Sequence, residues 1–390
     1  MEEEYPQDIP QTVDQYIIIK TLGSGAFATV YLAQHAVTQT MVALKCIAKK
    51  KLKNQAEFEL LQREVNLMRS MDHPFIVSFY EVLDDKDNFY ISMELVENEN
   101  LLDYINNNQG LGEQQARRIF SQLVAVLEYL HVEKRVMHRD LKAENVLLDK
   151  NYNVRLVDFG LSKAFSKNDP FLQTTCGSPA YVAPEIIKEK PYTSAADIWS
   201  LGILLYAMVA GHLPFNGDNI SMMLQEIINS KPQIPKSLSP NLRELISRLL
   251  IKEPGARITL QQIIEHPWLT EFEDSRLLTE DFGLINSFKV VNPQELDAGV
   301  VSEMRILGFD VAGLLQELRT GQINKRTAAY KMLKKQRTME ELNSWQNTKA
   351  TRTSQQAQTK LPTLDGKSEN KKVRYALKRR KRTTVPIPVK

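Results

Sequence analysis

Cysteine is almost missing from this chain: Cys46 and Cys176 are the only two in 390 residues. Two thiols cannot build a disulfide framework or a four-thiolate metal site, which excludes the small stapled scaffolds and suits a reducing compartment. Long apolar runs are missing as well. The longest, residues 201–211, is about half of the roughly 20 residues that a membrane-spanning helix needs. The chain opens on Met1-Glu2-Glu3-Glu4, which is acidic where an export signal would be basic and then apolar. A strong net charge is the third absence. Lys and Arg total 50 against 47 Asp and Glu, a balance of +3, so neither sequence-specific nucleic acid nor a membrane is demanded as partner. Together these absences predict a cytoplasmic protein. What is present is 43% hydrophobic residues, ample for a core, and a length that allows two or three domains. Basic charge gathers late, at Lys371-Lys372 and over 378–382. That cluster reads equally as a nuclear-import signal, a patch for anionic lipid or a solvated tail.

The densest chemistry lies in residues 138–145, His-Arg-Asp-Leu-Lys-Ala-Glu-Asn. Asp140 could accept a proton from a hydroxyl nucleophile, Lys142 could neutralise charge growing on a transferred phosphoryl group, and Asn145 offers a neutral oxygen to a cation. The stretch follows an apolar helical segment, 119–130, and precedes a short strand, 146–148. Alone it is only suggestive.

Upstream, a β-branched strand at 16–20 leads into Leu22, Gly23, Ser24, Gly25, Ala26, Phe27, Ala28, Thr29 and Val30, and the chain returns as a strand. Two glycines two apart let backbone amides approach phosphates. A dinucleotide site would need the glycines to open a helix, and Val30-Tyr31-Leu32 argues for a strand instead. A plain hairpin explains such a turn equally well. The alternating strand 42–47 carries Lys45 in its middle. In the helix predicted over 57–71 the apolar stripe runs Phe58, Leu61, Val65 and Met68, and Glu64 lies on that stripe. A carboxylate turned towards an apolar interior must find a cation, and Lys45 is the candidate. Strands are expected over 75–83 and 88–95, then a polar hinge at 97–100, then helices. A strand over 154–157 ends in Asp158-Phe159-Gly160, where an acidic residue beside a glycine suits a magnesium ligand next to a loop.

Taken together these residues resemble the protein kinase family, in its serine/threonine branch, over 16–269. The resemblance rests on the glycine loop, Val42-Ala43-Leu44-Lys45, Glu64, residues 138–145, Asp158-Phe159-Gly160, Ala183-Pro184-Glu185, Asp197-Ile198-Trp199 and Arg257. It implies an α+β, bilobal fold and transfer of the ATP γ-phosphoryl group to Ser or Thr hydroxyls of protein substrates. By position it implies Asp140 as base, Lys142 beside the phosphate, Asn145 and Asp158 on magnesium, and Lys45, fixed by Glu64, on the α and β phosphates. Met93 falls at the gatekeeper and Glu94 to Val96 at the adenine-binding hinge, with Val30, Ala43 and Leu147 around the ring. Met68, Phe79, His138 and Phe159 fall where the family stacks an apolar column, and Glu185 with Arg257 where it has an ion pair. Glu144 matches an acidic residue that favours basic substrates, whereas Asn100 departs from the family's usual Glu, with Asp103 nearby. Ala28 replaces the loop's third glycine. Thr174 aligns with an activation-loop phosphothreonine made by an upstream kinase, and its phosphate would meet Arg139 and Lys163.

The expected division is a flexible lead-in over 1–15, the kinase-like domain over 16–269, a linker over 270–292, a helical segment over 293–337 and a disordered basic tail over 338–390. The segment has turns at 307–309 and 320–324, and it resembles the ubiquitin-associated-like, often autoinhibitory, segment of AMP-activated and microtubule-affinity-regulating kinases. Companion regulatory subunits, and membrane contact by the tail, stay open at this point. So does a rival reading, a pseudokinase or scaffold that binds partners through its C-terminal third.

Overall fold

The computed structural model describes residues 12–25, 28–52, 54–158, 179–217, 219–270 and 294–358. A six-stranded sheet forms the small lobe, in the order β1-β2-β3-β4-β6-β5, and every neighbouring pair is antiparallel. Its strands are β1 (Thr12–Val13), β2 (Tyr16–Ser24), β3 (Ala28–His35), β4 (Met41–Ala48), β5 (Phe79–Asp84) and β6 (Asn88–Glu94). One helix, α1 (Gln55–Ser70), packs on it. Asn54 starts α1 by accepting the Glu57 N–H, and Met71 ends it in extended conformation. The predicted stripe then does its work, since Leu61, Val65 and Met68 pack with Ile47, Phe79 and Ile91.

Two expectations need correction here. Thr12–Val13 pairs with Tyr16 and Ile17, so the lead-in ends earlier than residue 15. The strand expected from 75 begins at Phe79. Before it, Val77 N–H donates to Leu156 O at 3.1 Å and Ser78 N–H donates to Glu94 Oε2 at 3.0 Å, which takes both amides out of the ladder. An apolar run reads the same either way.

Below the sheet lies a helical lobe containing α2 (Leu101–Asn108), α3 (Glu113–Glu128), the hairpin β7 (Val146–Leu148) with β8 (Val154–Leu156), α4 (Pro184–Ile187), α5 (Ser194–Ala210), α6 (Ile220–Asn229), α7 (Pro240–Leu249), α8 (Leu260–Ile264) and α9 (Pro267–Thr270). α5 is apolar on nearly every face and is correspondingly sheathed by the others. It stops at Gly211, whose φ of 73° is the left-handed cap that glycine adopts without strain. A Cβ on Gly202 would lie 2.8 Å from the Leu249 Cβ, so glycine is what lets α5 approach α7. The two-lobed expectation is met.

Past residues 271–293, which include nearly all of the expected linker and lie outside the described residues, come α10 (Ala298–Ile306), α11 (Leu314–Arg319) and α12 (Lys325–Gln358). They close a small core of their own around Val300, Met304, Leu314, Leu318 and Tyr330. The turns fall at Gly308 and Gly321, both at positive φ. α12 also lies against both lobes. Ala328 and Met332 join the small-lobe cluster of Tyr16, Val42 and Tyr80, Ile323 in the turn just before α12 joins the cluster that holds Leu61 of α1, and Met339 packs on the large-lobe core. The tail expected from 338 is corrected as well, because α12 continues to Gln358. Strong helix formers and i,i+4 pairs such as Arg337 with Glu341 carry it on. Among the described residues no helix is long and apolar enough to cross a membrane.

Candidate active site

The centre is a buried carboxylate that the sequence flagged without assigning a role. Asp197, in the first turn of α5 and fully buried, accepts from the backbone N–H of His138 (2.9 Å) and of Arg139 (3.0 Å). His131 Nε2 and the Tyr192 hydroxyl complete its shell at 2.8 and 2.7 Å. Burial alone would raise the Asp197 pKa, but these donors and the neighbouring histidines outweigh it and hold the carboxylate below its usual range. A fixed anion thus pins the loop at 138–140. Arg139 pays for the resulting turn with a φ of 69°, a left-handed value that a non-glycine residue holds only when its surroundings impose it. Sequence reasoning missed His131 and Tyr192; His131 gave the signal of a polar side chain at the end of an apolar run, and Tyr192, in a polar stretch, gave none.

With the loop fixed, Asp140 faces Lys142 and Asn145. Lys142 Nζ lies 3.2 Å from Asp140 Oδ2, and Asn145 Nδ2 donates to the same oxygen at 3.0 Å and to the Asp140 carbonyl at 2.8 Å. The Asn145 amide nitrogen is therefore spent, which leaves its oxygen free to ligate a cation. Asp158 follows β8 with a φ of 56°, a second strained residue at the same place. Among the described residues no three His, Cys, Asp or Glu side chains gather as a metal cage. One carboxylate and one amide oxygen, with positions left for water and phosphate oxygens, do fit a magnesium ion.

Lys45 departs from expectation. It pairs with Asp158 Oδ1 at 3.2 Å and makes no ion pair with Glu64, whose Oε2 is buried without a hydrogen-bond partner. Burial raises the Glu64 pKa to about 8, against the opposing pull of Lys45. An acid whose folded pKa is raised contributes stability that is complete below its unfolded value, about 4.5, and lost as pH rises through about 8. Glu64→Gln is therefore expected to gain melting temperature over the parent between pH 5 and 8 and to hold that gain above pH 8. Thermal scans at four pH values would check this, and parallel curves for the two proteins would refute it.

The remaining expected residues take these places. Gly23 lies opposite Val30 and Ser24 opposite Thr29 across the β2–β3 hairpin, with Ala28 at the start of β3, and Leu22 is exposed. Ala26 and Phe27 lie outside the described residues, as do Phe159, Lys163 and Thr174. Ala43 and Met93 are register partners in β4 and β6, while Leu147 bridges to Asn100, at the start of α2. Val96 follows β6 in the hinge. Asn100 caps α2 and its Nδ2 holds the Asp103 carboxylate at 2.8 Å. Of the column, Met68 and Phe79 share one cluster and His138 is buried beside Asp140. In the large lobe, Glu185 and Arg257 form a two-pronged buried pair at 2.7 and 2.9 Å.

Glu94 does more than the sequence implied. Its side chain is only 11% exposed, with Arg155 Nε at 2.9 Å, Lys335 Nζ at 3.2 Å and the Ser78 N–H at 3.0 Å. Lys335, on α12, also donates to the carbonyls of Pro74 and Ile76. Burial would raise the Glu94 pKa, but Lys335 and Arg155 prevail and keep it ionised.

The family model for the protein kinase domain matches residues 16–269. The chain is 38% identical over 328 residues to rat serine/threonine-protein kinase SIK1, covering 84% of this chain and 42% of that protein. It is 38% identical over 331 residues to the Arabidopsis thaliana SNF1-related protein kinase catalytic subunit alpha KIN12, covering 85% and 66%. It is 39% identical over 300 residues to a carbon catabolite-derepressing protein kinase of Candida tropicalis, covering 76% and 47%. The chain thus spans about two fifths of the length of the first of these relatives.

Proposed function

We propose, from the premise that this chain belongs to the protein kinase family, that it is a serine/threonine kinase transferring the ATP γ-phosphoryl group to protein hydroxyls. The observation that carries the reading is the convergence of Lys142 and Asn145 on one Asp140 oxygen in a loop pinned by Asp197. Asp140 orients the acceptor hydroxyl and takes its proton, and Lys142 offsets charge on the phosphoryl oxygens. A magnesium ion, when held by Asn145 and Asp158, supplies charge neutralisation at the phosphates. Every charged catalytic position is filled, which favours an enzyme over a scaffold. Phosphate on Thr174 would meet Arg139 and Lys163 and order the loop around them.

Substrate choice is basic. Glu144 is half-buried with Oε2 lacking a hydrogen-bond partner, and burial raises its pKa. Such a carboxylate gains from a cationic side chain near the acceptor. A phosphorylation screen of Ser and Thr peptides is expected to select Arg or Lys upstream. Glu144→Gln should lower kcat/KM for basic peptides by about tenfold, the effect of about 1.4 kcal/mol, and leave neutral ones unchanged. Equal losses on both would sink the assignment.

The three-helix segment is the ubiquitin-associated-like regulator. It touches α1 through Ile323 and the back of the hinge through Lys335, while Lys45 is held by Asp158 and not by Glu64. In this state the segment restrains the enzyme, and its release activates.

A further inference from the structure

α12 carries a polar group that its docked position does not use. Thr338 is 4% exposed, and its hydroxyl oxygen has no hydrogen-bond partner. A valine of the same shape would dock at least as well, since a buried hydroxyl left unpaired weakens packing. Around it the sequence reads Lys334-Lys335-Gln336-Arg337-Thr338-Met339, with cations one, three and four residues before the hydroxyl. The cation three before is Lys335, the residue whose ammonium is spent on Glu94 and on two carbonyls behind the hinge. Helical spacing puts Lys331, Lys335 and Thr338 on one row of α12, and Met339, the next residue, packs on the large lobe.

We propose that Thr338 is a phosphorylation site for kinases that read basic residues upstream, this chain included, and that its phosphate keeps α12 off the hinge. In the step, the Thr338 hydroxyl oxygen bonds to the γ-phosphorus of ATP as the bond from that phosphorus to the β,γ-bridging oxygen breaks. ADP leaves, and the hydroxyl proton passes to the catalytic aspartate of the acting kinase. Docking and modification exclude each other, because docking hides both the acceptor and its recognition cation. The phosphate is trapped outside for two reasons. A site almost closed to solvent has no room for it, and the nearby charges are already matched, Glu94 and Asp149 against Arg155 and Lys335. A buried dianion there would have no counter-charge of its own. Phosphorylation therefore acts on the undocked population and shifts the equilibrium towards it.

The self-modification part rests on the basic specificity proposed above, and the test separates the two. The full-length Asp140→Asn chain, which cannot modify itself, serves as acceptor for the wild-type chain with Mg·ATP and, separately, for an unrelated active basophilic kinase. Peptide mass spectrometry should find phosphate on Thr338 with both, and none in the acceptor that also carries Thr338→Val. Modification by the unrelated kinase alone would keep the site and remove this chain as its writer. Absence with both donors would overturn the site while leaving activity on basic peptides intact. Hydrogen exchange reads the consequence. In Thr338→Glu, amides of residues 328–339 and 76–80 should exchange about tenfold faster or more, the change that about 1.4 kcal/mol produces, while α5 stays protected as a check on folding. Thr338→Val should exchange as the parent does. Equal rates in the Glu and Val variants would overturn the release.

Discussion

Asp140→Asn is expected to lower phosphoryl transfer to peptide by about a thousandfold, in the middle of the range of roughly 10² to 10⁴ that general-base catalysis contributes. The asparagine keeps an oxygen for the Asn145 amide, which now donates to Asp140 Oδ2 at 3.0 Å, so the loop retains its shape. It loses the negative charge that faces Lys142 at 3.2 Å and that would receive the proton. Melting temperature should therefore stay near that of the parent while turnover collapses. A radiolabelled transfer assay at saturating ATP checks the first, and a thermal scan the second. Undiminished transfer would refute the enzymatic assignment of Asp140. A loss matched by unfolding would say that the residue is structural.

Lys335→Ala carries the second large effect. Removing one partner from a buried, hydrogen-bonded charge pair across an interface costs about 2 to 5 kcal/mol. Glu94 keeps Arg155 and the Ser78 N–H, which points to the lower end of that span. The Pro74 and Ile76 carbonyls lose their donor as well. The three-helix segment should loosen from both lobes, so that exchange of residues 328–339 rises more than tenfold, as about 1.4 kcal/mol or more requires. Its own core around Val300 and Leu314 does not involve Lys335 and should stay folded. Transfer activity should rise, because the restraint on α1 through Ile323 is relieved. Lower activity with full release would reverse the sign and make the segment an activator.

Much of the site was legible in the chain because its chemistry is local. Asp140, Lys142 and Asn145 lie within six residues, and a loop that short brings them onto one oxygen once its ends are held. The helix carrying Glu64 was legible from its period, and the hairpin around Gly23 and Gly25 from its turn. The partner of Lys45 was not. Glu64 and Asp158 both suit a lysine, and sequence pattern carries no information on how far α1 sits from the sheet. Glu94 was legible as hinge backbone, but its side-chain partners, Arg155 and Lys335, lie 61 and 241 residues away. The end of α12 was misread because a polar helix with i,i+4 pairs and a disordered tail share a composition.

By itself, then, the sequence determined the family, the two-lobed fold and the grouping of Asp140, Lys142 and Asn145 in one loop, since all three rest on short-range spacing and apolar period. The tertiary structure alone decided three further things: that Asp197 pins the loop at 138–140, that Lys45 takes Asp158 in this state, and that α12 reaches across both lobes to the side chain of Glu94. The physical reason is common to them. Each turns on a charge taken out of water, and which opposite charge or donor then meets it depends on the packing of segments far apart in the chain.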